Sequence, residues 1–369
     1  MKTEVLVDSS EFLDRLSGDV RGATESVYLQ AMTFEADSAG LRICEELRRS
    51  PARDIRVLVD EYIRVVMSDS CLLTPPGLLN RALRRESRET RALFDQLRDE
   101  GIQVRMTNPL GPMYTGLLAR NHKKLVVIDG RVAYIGGINF SDHNFAWHDM
   151  MLRMEEEGIA RYLEEDFIST WAGIDQKNLR SFPGFDFHQL DGRCNEESYE
   201  AIFSLMEEAV DSIIIESPYL SFPFYQKLRE AVRRGVKVRL ILPERNNKPL
   251  LQRYNLWEAR RSGIDLRLLE GRMTHLKAML IDGRKLIAGS SNFDYVSYRS
   301  LQELVVVITD RDTVRQFDER VFLPDWRDSV PAGGRRRGPG GGLCYAWLRL
   351  LDLVGLGLSK VATQAAPRS

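Results

Sequence analysis

Apolar positions along the first 110 residues keep two alternating rhythms. Phe12, Leu13 and Leu16 fall on one face of a 3.6-residue repeat, and with Ser9 or Ser10 as a cap they predict a helix over 9–23. The run VYLQAMT at 27–33 is apolar nearly throughout and predicts a buried strand. A helical stretch at 41–49 then leads to IRVLVD at 55–60, a second strand, across an interval long enough for a crossover between parallel strands. Helical periodicity at 91–99 and a strand at 103–106 extend this α/β wiring. Between them, 61–91 loses both rhythms, passing through CLLTPPG at 71–77 into a basic, helix-prone patch at 81–91. A segment of that length is either functional or a solvated excursion.

The same order returns in the second half. Residues 213–216 answer the first strand, 224–233 the helix and 236–242 (VKVRLIL) the second strand. Arg56 and Arg239 stand 183 positions apart but Gly101 and Gly263 only 162, so the first half holds 21 extra residues between these landmarks. The 61–91 stretch is therefore an insertion into a shared frame and a candidate substrate-selecting element. The expected organisation is a first α/β domain at 1–178, a linker at 179–195, a second domain at 196–328, a flexible Gly/Pro/Arg linker at 329–342 and an amphipathic tail at 343–369.

Composition narrows the function classes. Lys and Arg total 52 against 53 for Asp and Glu, so global charge provides no footprint for non-specific nucleic-acid binding. Cys44, Cys71, Cys194 and Cys344 show no metal spacing and read as reduced thiols. The first residues lack an apolar leader and no uncharged run reaches spanning length, so a cytoplasmic protein is expected. The tail, following Arg335, Arg336 and Arg337, suits peripheral contact with an anionic inner membrane face; docking on its own or another subunit is the plainer alternative.

The chemistry lies in NHKKLVVIDGRVAYIGGIN at 121–139 and THLKAMLIDGRKLIAGSSN at 274–292. Both hold His, Lys, Asp, Gly, a small residue and Asn in one frame: His122, Lys124, Asp129, Gly136, Gly137 and Asn139, then His275, Lys277, Asp282, Gly289, Ser290 and Asn292. Two of only five histidines fall in this repeat. On an extended chain positions i and i+2 share a face, so each His and Lys line one surface. Paired histidines allow one to attack while the other delivers a proton; lysines and amides supply the positive groups a phosphodiester transition state requires. The small residues leave room for a substrate.

The frame H-x-K-x4-D-x6-G-[GS]-x-N resembles the repeated signature of the phospholipase D superfamily. Within it the chain is most similar to bacterial cardiolipin synthases and related phosphatidyltransferases, on YLQAMTFEADSAG at 28–40, the GGIN ending of the first motif, IIIESPYL at 213–220 and NFDYVS at 292–297. The resemblance implies two similar α/β/α domains with mixed central sheets, related by a pseudo-twofold axis, with the active site at their interface. It implies a covalent phosphohistidine on His122, with His275 as acid and then base, and no cofactor or metal. Lys124, Lys277, Asn139, Asn292 and Ser290 would hold the phosphate, while Asp129 and Asp282, though part of the catalytic signature, would be structural. Glu303, eleven residues beyond Asn292, stands where the family places a carboxylate that orients the signature histidine; in the first half Asp149 is the nearest candidate. His143 and His148 read as rim residues, since His-x4-His lacks a third metal ligand. The implied substrate is a phospholipid such as phosphatidylglycerol. A nuclease of the same superfamily is the alternative, and a scaffold with a decayed site is disfavoured by twelve intact motif positions.

Overall fold

The computed structural model describes residues 2–114, 116–193, 195–333 and 340–365. The first half contributes β1 (Lys2–Val7), β2 (Ser26–Ala31), β3 (Asp54–Asp60), the small hairpin β4 (Val66–Met67) and β5 (Ser70–Cys71), β6 (Gln103–Thr107), β7 (Leu125–Ile128), β8 (Val132–Gly136) and β9 (Met150–Glu155). The second contributes β10 (Asn178–Phe182), β11 (Phe185–Asp191), β12 (Ser212–Glu216), β13 (Lys237–Pro243), β14 (Asp265–Leu269), β15 (Ala278–Ile281), β16 (Lys285–Gly289), β17 (Gln302–Ile308) and β18 (Val330–Pro331). Their orders are β1-β9-β8-β7-β2-β3-β6 and β10-β11-β17-β16-β15-β12-β13-β14-β18. Six consecutive strands match between the sheets. In each, three parallel strands (β2, β3, β6; β12, β13, β14) join an antiparallel meander (β7, β8, β9; β15, β16, β17).

Strand alternation explains how the halves meet. Leu125 and Val127 of β7 and Ala278 and Leu280 of β15 face one shared apolar core that spans both sheets. Val126 and Ile128 face the outer layer of the first half; Met279 and Ile281 face that of the second. Both faces of these strands are thus dry, which is why the sequence shows continuous apolar runs there rather than alternation.

Local details depart from the sequence reading. The first helix, Asp8–Gly22, starts without a Ser cap: Ser9 donates instead to the Phe145 carbonyl. The region 81–99 is one helix, Arg81–Asp99, capped by Asn80; its buried face runs through Ser87 and Thr90 before Leu93, Phe94 and Leu97, and those small polar residues hide the helical rhythm from sequence. The expected linker at 179–195 contains β10 and β11, which extend the second sheet beside β17. Within the expected linker at 329–342, β18 pairs with β14, while Arg335, Arg336 and Arg337 lie outside the described residues. The tail helix Gly341–Ala365 docks on its own chain, with Cys344 and Leu348 entering the second half's outer core and Tyr345 stacked on Tyr254 at 5.9 Å. Its opposite face leaves Leu343, Trp347 and Leu350 exposed. No helix among the described residues is long and apolar enough to cross a membrane.

Candidate active site

The C-terminal ends of β2 and β3 and the chain entering β7 meet at one edge of the first sheet, and β12, β13 and the entry to β15 do the same in the second. His122 and Lys124 sit on the extended segment just ahead of β7, and His275 and Lys277 just ahead of β15, rather than on the strands themselves. What holds these segments is the other half. The His122 N–H donates to the Gln302 carbonyl at 2.9 Å and the Gln302 N–H to Arg120 at 2.9 Å; the His275 N–H donates to His148 at 2.6 Å and the His148 N–H to Met273 at 2.8 Å.

The orienting carboxylates cross the same seam. His122 Nδ1 lies 2.9 Å from Glu303 Oε1, and His275 Nδ1 lies 2.7 Å from Asp149 Oδ2. Glu303 lies in the half of His275 and Asp149 in the half of His122, yet each orients the histidine of the other half. The exchange follows from the backbone pairing: His122 is bonded beside Gln302, the neighbour of Glu303, and His275 beside His148, the neighbour of Asp149. A carboxylate at Nδ1 places the proton there and leaves Nε2 with a lone pair, the tautomer a nucleophile or base requires.

Supporting groups fix the carboxylates in turn. Ser290 and Ser297 hydroxyls donate to Glu303, so Ser290, expected at the phosphate, belongs to the orienting network instead. At the matching position of the first half, a Cβ on Gly137 would stand 2.3 Å from the Asp149 carboxylate oxygens; one on Gly289 (φ +135°) would stand 2.2 Å from the Leu304 carbonyl. These glycines make room for protein, not for substrate. Asp129 and Asp282 sit at the far ends of β7 and β15, roughly 20 Å along the chain from the histidines at ~3.3 Å per residue. Asp129 accepts the N–H groups of Thr24, Glu25 and Ser26, and Asp282 those of Val210, Asp211 and Ser212. They tie the start of β2 and β12 to their neighbours, so the signature aspartates lie outside the catalytic cluster. Asp129→Ala or Asp282→Ala is expected to lower stability by about 2 kcal/mol, the scale of charged hydrogen bonds, while kcat of the folded protein stays within a few-fold; a calorimetric Tm measured beside the rate distinguishes the two effects.

Both lysines are buried, with Lys124 Nζ donating to the His122 carbonyl at 2.7 Å and Lys277 Nζ lying 2.8 Å from His275 Nδ1. Asn139 accepts the Thr33 N–H through its carbonyl oxygen, which leaves its amide donors for another acceptor. Burial, offset in part by the carboxylates, pushes Lys124 down to about 7 and Lys277 to about 8. Burial likewise lowers His122, against the pull of Glu303, and drives His275, with Lys277 beside it, to about 3. Glu303 and Asp149 stay below the usual carboxylate range despite burial, held there by His122 and Lys124 and by Lys277 and His275 respectively. These surroundings keep the histidines neutral and the carboxylates charged.

Sequence reasoning missed the walls. Arg120 pairs with buried Asp60 at 3.0 Å, and Asp60 accepts the Asn121 N–H at 2.6 Å, fixing the approach to the first motif. The Trp147 and Tyr219 rings lie 4.9 and 5.7 Å from the His275 ring. Asp69, at the tip of the β4–β5 hairpin, accepts from Asn247 at 3.0 Å, so the insertion reaches the second half. No periodicity or spacing announces these residues, because their partners are distant in sequence.

A family model described as "Cardiolipin synthase, PLD-like domain" matches residues 18–171 and 202–326, which contain both motifs and both orienting carboxylates. The chain belongs to this family of phospholipase D-like proteins. Among its curated relatives are cardiolipin synthase 1 of Staphylococcus epidermidis, 26% identical over 85% of this chain and 66% of that protein, and cardiolipin synthase of Listeria monocytogenes, 25% identical over 88% and 68%. The chain thus spans about two thirds of the length of these synthases. In fold, the phospholipase D-like chain is similar to phosphatidylserine synthase of Haemophilus influenzae, with a TM-score of 0.70 at 17% identity, covering 95% of this chain and 94% of that one.

Proposed function

We propose that this phospholipase D-like protein is a phosphatidyltransferase or phospholipase D acting on a phospholipid phosphodiester, without a metal at the phosphorus. His122 Nε2 attacks phosphorus and the bond to the departing alcohol oxygen breaks, with His275 giving that oxygen its proton. An acceptor alcohol or water then attacks, returns a proton to His275, and the phosphorus–nitrogen bond breaks to restore His122. Lys124, Lys277, Asn139 and Asn292 stabilise the charge gathering on the non-bridging oxygens. Entry of the anionic phosphodiester raises the His275 pKa from its depressed resting value, so the acid becomes charged when substrate is bound. The paired histidines, each with a carboxylate at Nδ1 and Nε2 left over, carry this reading.

A lipid, rather than a nucleic acid, is favoured by the loops leaving the ends of β3 and β6 beside the site. They expose Leu73, Leu78, Leu79 (82%), Met113 (91%), Leu117 and Leu118 with a single aromatic, Tyr114, flanked by exposed Arg81, Arg84, Arg85 and Arg88. Aliphatic side chains with adjacent arginines suit an anionic bilayer surface, whereas a single-strand groove needs stacked aromatics. The exposed face of the tail helix, with Leu343, Trp347 and Leu350, adds a second apolar contact for peripheral attachment to the inner membrane face.

The deciding experiment is mass analysis of products from phosphatidylglycerol vesicles, with and without added glycerol. Cardiolipin or a new phosphatidyl-alcohol supports transfer and phosphatidic acid supports hydrolysis; cleavage of oligonucleotides without any lipid product would overturn the reading. In the same assay kcat/KM is expected to fall more steeply as pH rises from 7 to 8, where loss of the Lys124 and Lys277 protons adds to the low protonation of His275 in the free enzyme. A plateau extending above pH 9, about a unit past the higher lysine value, would contradict a role for lysine charge.

A further inference from the structure

One residue before Asp149, His148 is 1% exposed and lies among carboxylates, not on the rim where sequence reasoning placed it. Its Nδ1 is 2.6 Å from Asp8 Oδ1 and its Nε2 is 2.6 Å from Asp325 Oδ2. Glu216, also 1% exposed, accepts from the Thr274 hydroxyl at 3.1 Å through Oε1, while Oε2 has no hydrogen-bond partner. One ligand atom each from His148, Glu216 and Asp325 lie within 4.8 Å of one another. Arg272 pairs with the second oxygen of Asp8 at 2.5 Å.

We propose that His148, Glu216 and Asp325 form a buried site for a divalent transition metal ion, zinc first, that clamps the two halves together beside the second motif. Glu216 Oε2, buried beside the Asp325 carboxylate and without a hydrogen-bond partner, needs a shared proton or a cation between the two groups. Without an ion, His148 bonds a carboxylate at each ring nitrogen and is protonated; an ion that displaces the Nε2 proton leaves the three carboxylates of Asp8, Glu216 and Asp325 balanced by Arg272 and two positive charges. Asp8 at Nδ1 fixes the tautomer that presents Nε2 as a ligand, the carboxylate–histidine arrangement common behind metal sites. A His nitrogen with two carboxylate oxygens is an ordinary zinc donor set. Drawing three atoms already this close to metal-bond distance needs only small side-chain movements.

The pseudo-symmetric partner of this cluster shows that the fold itself does not demand charge here. Register aligns Gln30 with Glu216, Asn121 with Thr274 and Gln302 with His148, and in the first half Gln30 simply donates to Asn121 at 2.8 Å. Neutral amides fill that layer. Only the layer beside the second motif carries Glu216, Thr274 and His148 in their place, joined by Asp8 and Asp325 from opposite ends of the chain. The ion would not touch phosphorus; it would hold Thr274 and His148 and so position His275 and Asp149.

The test uses untagged full-length protein, loaded with zinc or manganese chloride, freed of excess by gel filtration and analysed by mass spectrometry for metal. One equivalent per chain is expected, with less than about a tenth of that in Glu216→Gln and Asp325→Asn, given the 10- to 100-fold losses usual at metal sites. Zinc at 100 times its Kd should raise the wild-type Tm by roughly 3 °C and leave Glu216→Gln unmoved. Substoichiometric metal in wild type, a Tm indifferent to zinc and chelator, or metal retained by both variants would overturn the site; in the first two cases the carboxylates share a proton instead. The wild-type measurements stand even if a variant fails to fold. His122→Ala should keep its metal, so loss of the clamp and loss of the phosphohistidine chemistry are separately visible.

Discussion

Alanine at His122 or His275 is expected to remove turnover by at least about 100-fold, the lower end of nucleophile and acid–base contributions, with the fold retained. Each ring is almost fully buried, yet its neighbours keep other partners: Glu303 still receives Ser290 and Ser297, and Asp149 still receives the Met150 N–H. The two variants should differ in what they trap. With a phosphodiester whose leaving group needs no protonation, His275→Ala should accumulate a covalent phosphoryl adduct on His122, because the base for the second step is missing. His122→Ala should form none. Mass spectrometry of acid-sensitive peptides reads this directly, and an adduct on His275 would reverse the assignment of roles.

Glu303→Gln and Asp149→Asn should each cost about 10²- to 10⁴-fold in kcat, since an amide at Nδ1 stabilises the wrong tautomer and withdraws charge from the imidazolium. The crossing of the seam gives a sharper readout than the rate. In ¹⁵N-histidine spectra Glu303→Gln should move the His122 ring resonances and leave those of His275 nearly in place; Asp149→Asn should do the converse. If each variant instead perturbs the histidine of its own half, the crossed pairing is wrong. Gly137→Ala, which would put a methyl 2.3 Å from the Asp149 oxygens, should resemble Asp149→Asn in the same spectra.

The duplicated α/β plan, the position of both motifs and the apolar strands that carry them are legible in the order of residues alone. Those features are local: continuous apolar runs at 125–128 and 278–281 record burial on two faces, and repeated spacing records a repeated frame. The family resemblance also supplied Glu303 and, as its nearest counterpart in the first half, Asp149 as candidates. Sequence could not say which histidine each would serve, because only the packing of two sheets across a shared core brings residue 122 beside 303 and residue 275 beside 149. Nor could it separate Ser290 from the phosphate-facing groups, or turn His148 from a rim residue into the centre of a buried acidic cluster. The partners of His148 lie at 8, 216 and 325, and a spacing rule that searches near a histidine finds none of them. Periodicity reports how one segment meets water; only tertiary structure decides which charges, far apart in the chain, must be buried together and neutralised there.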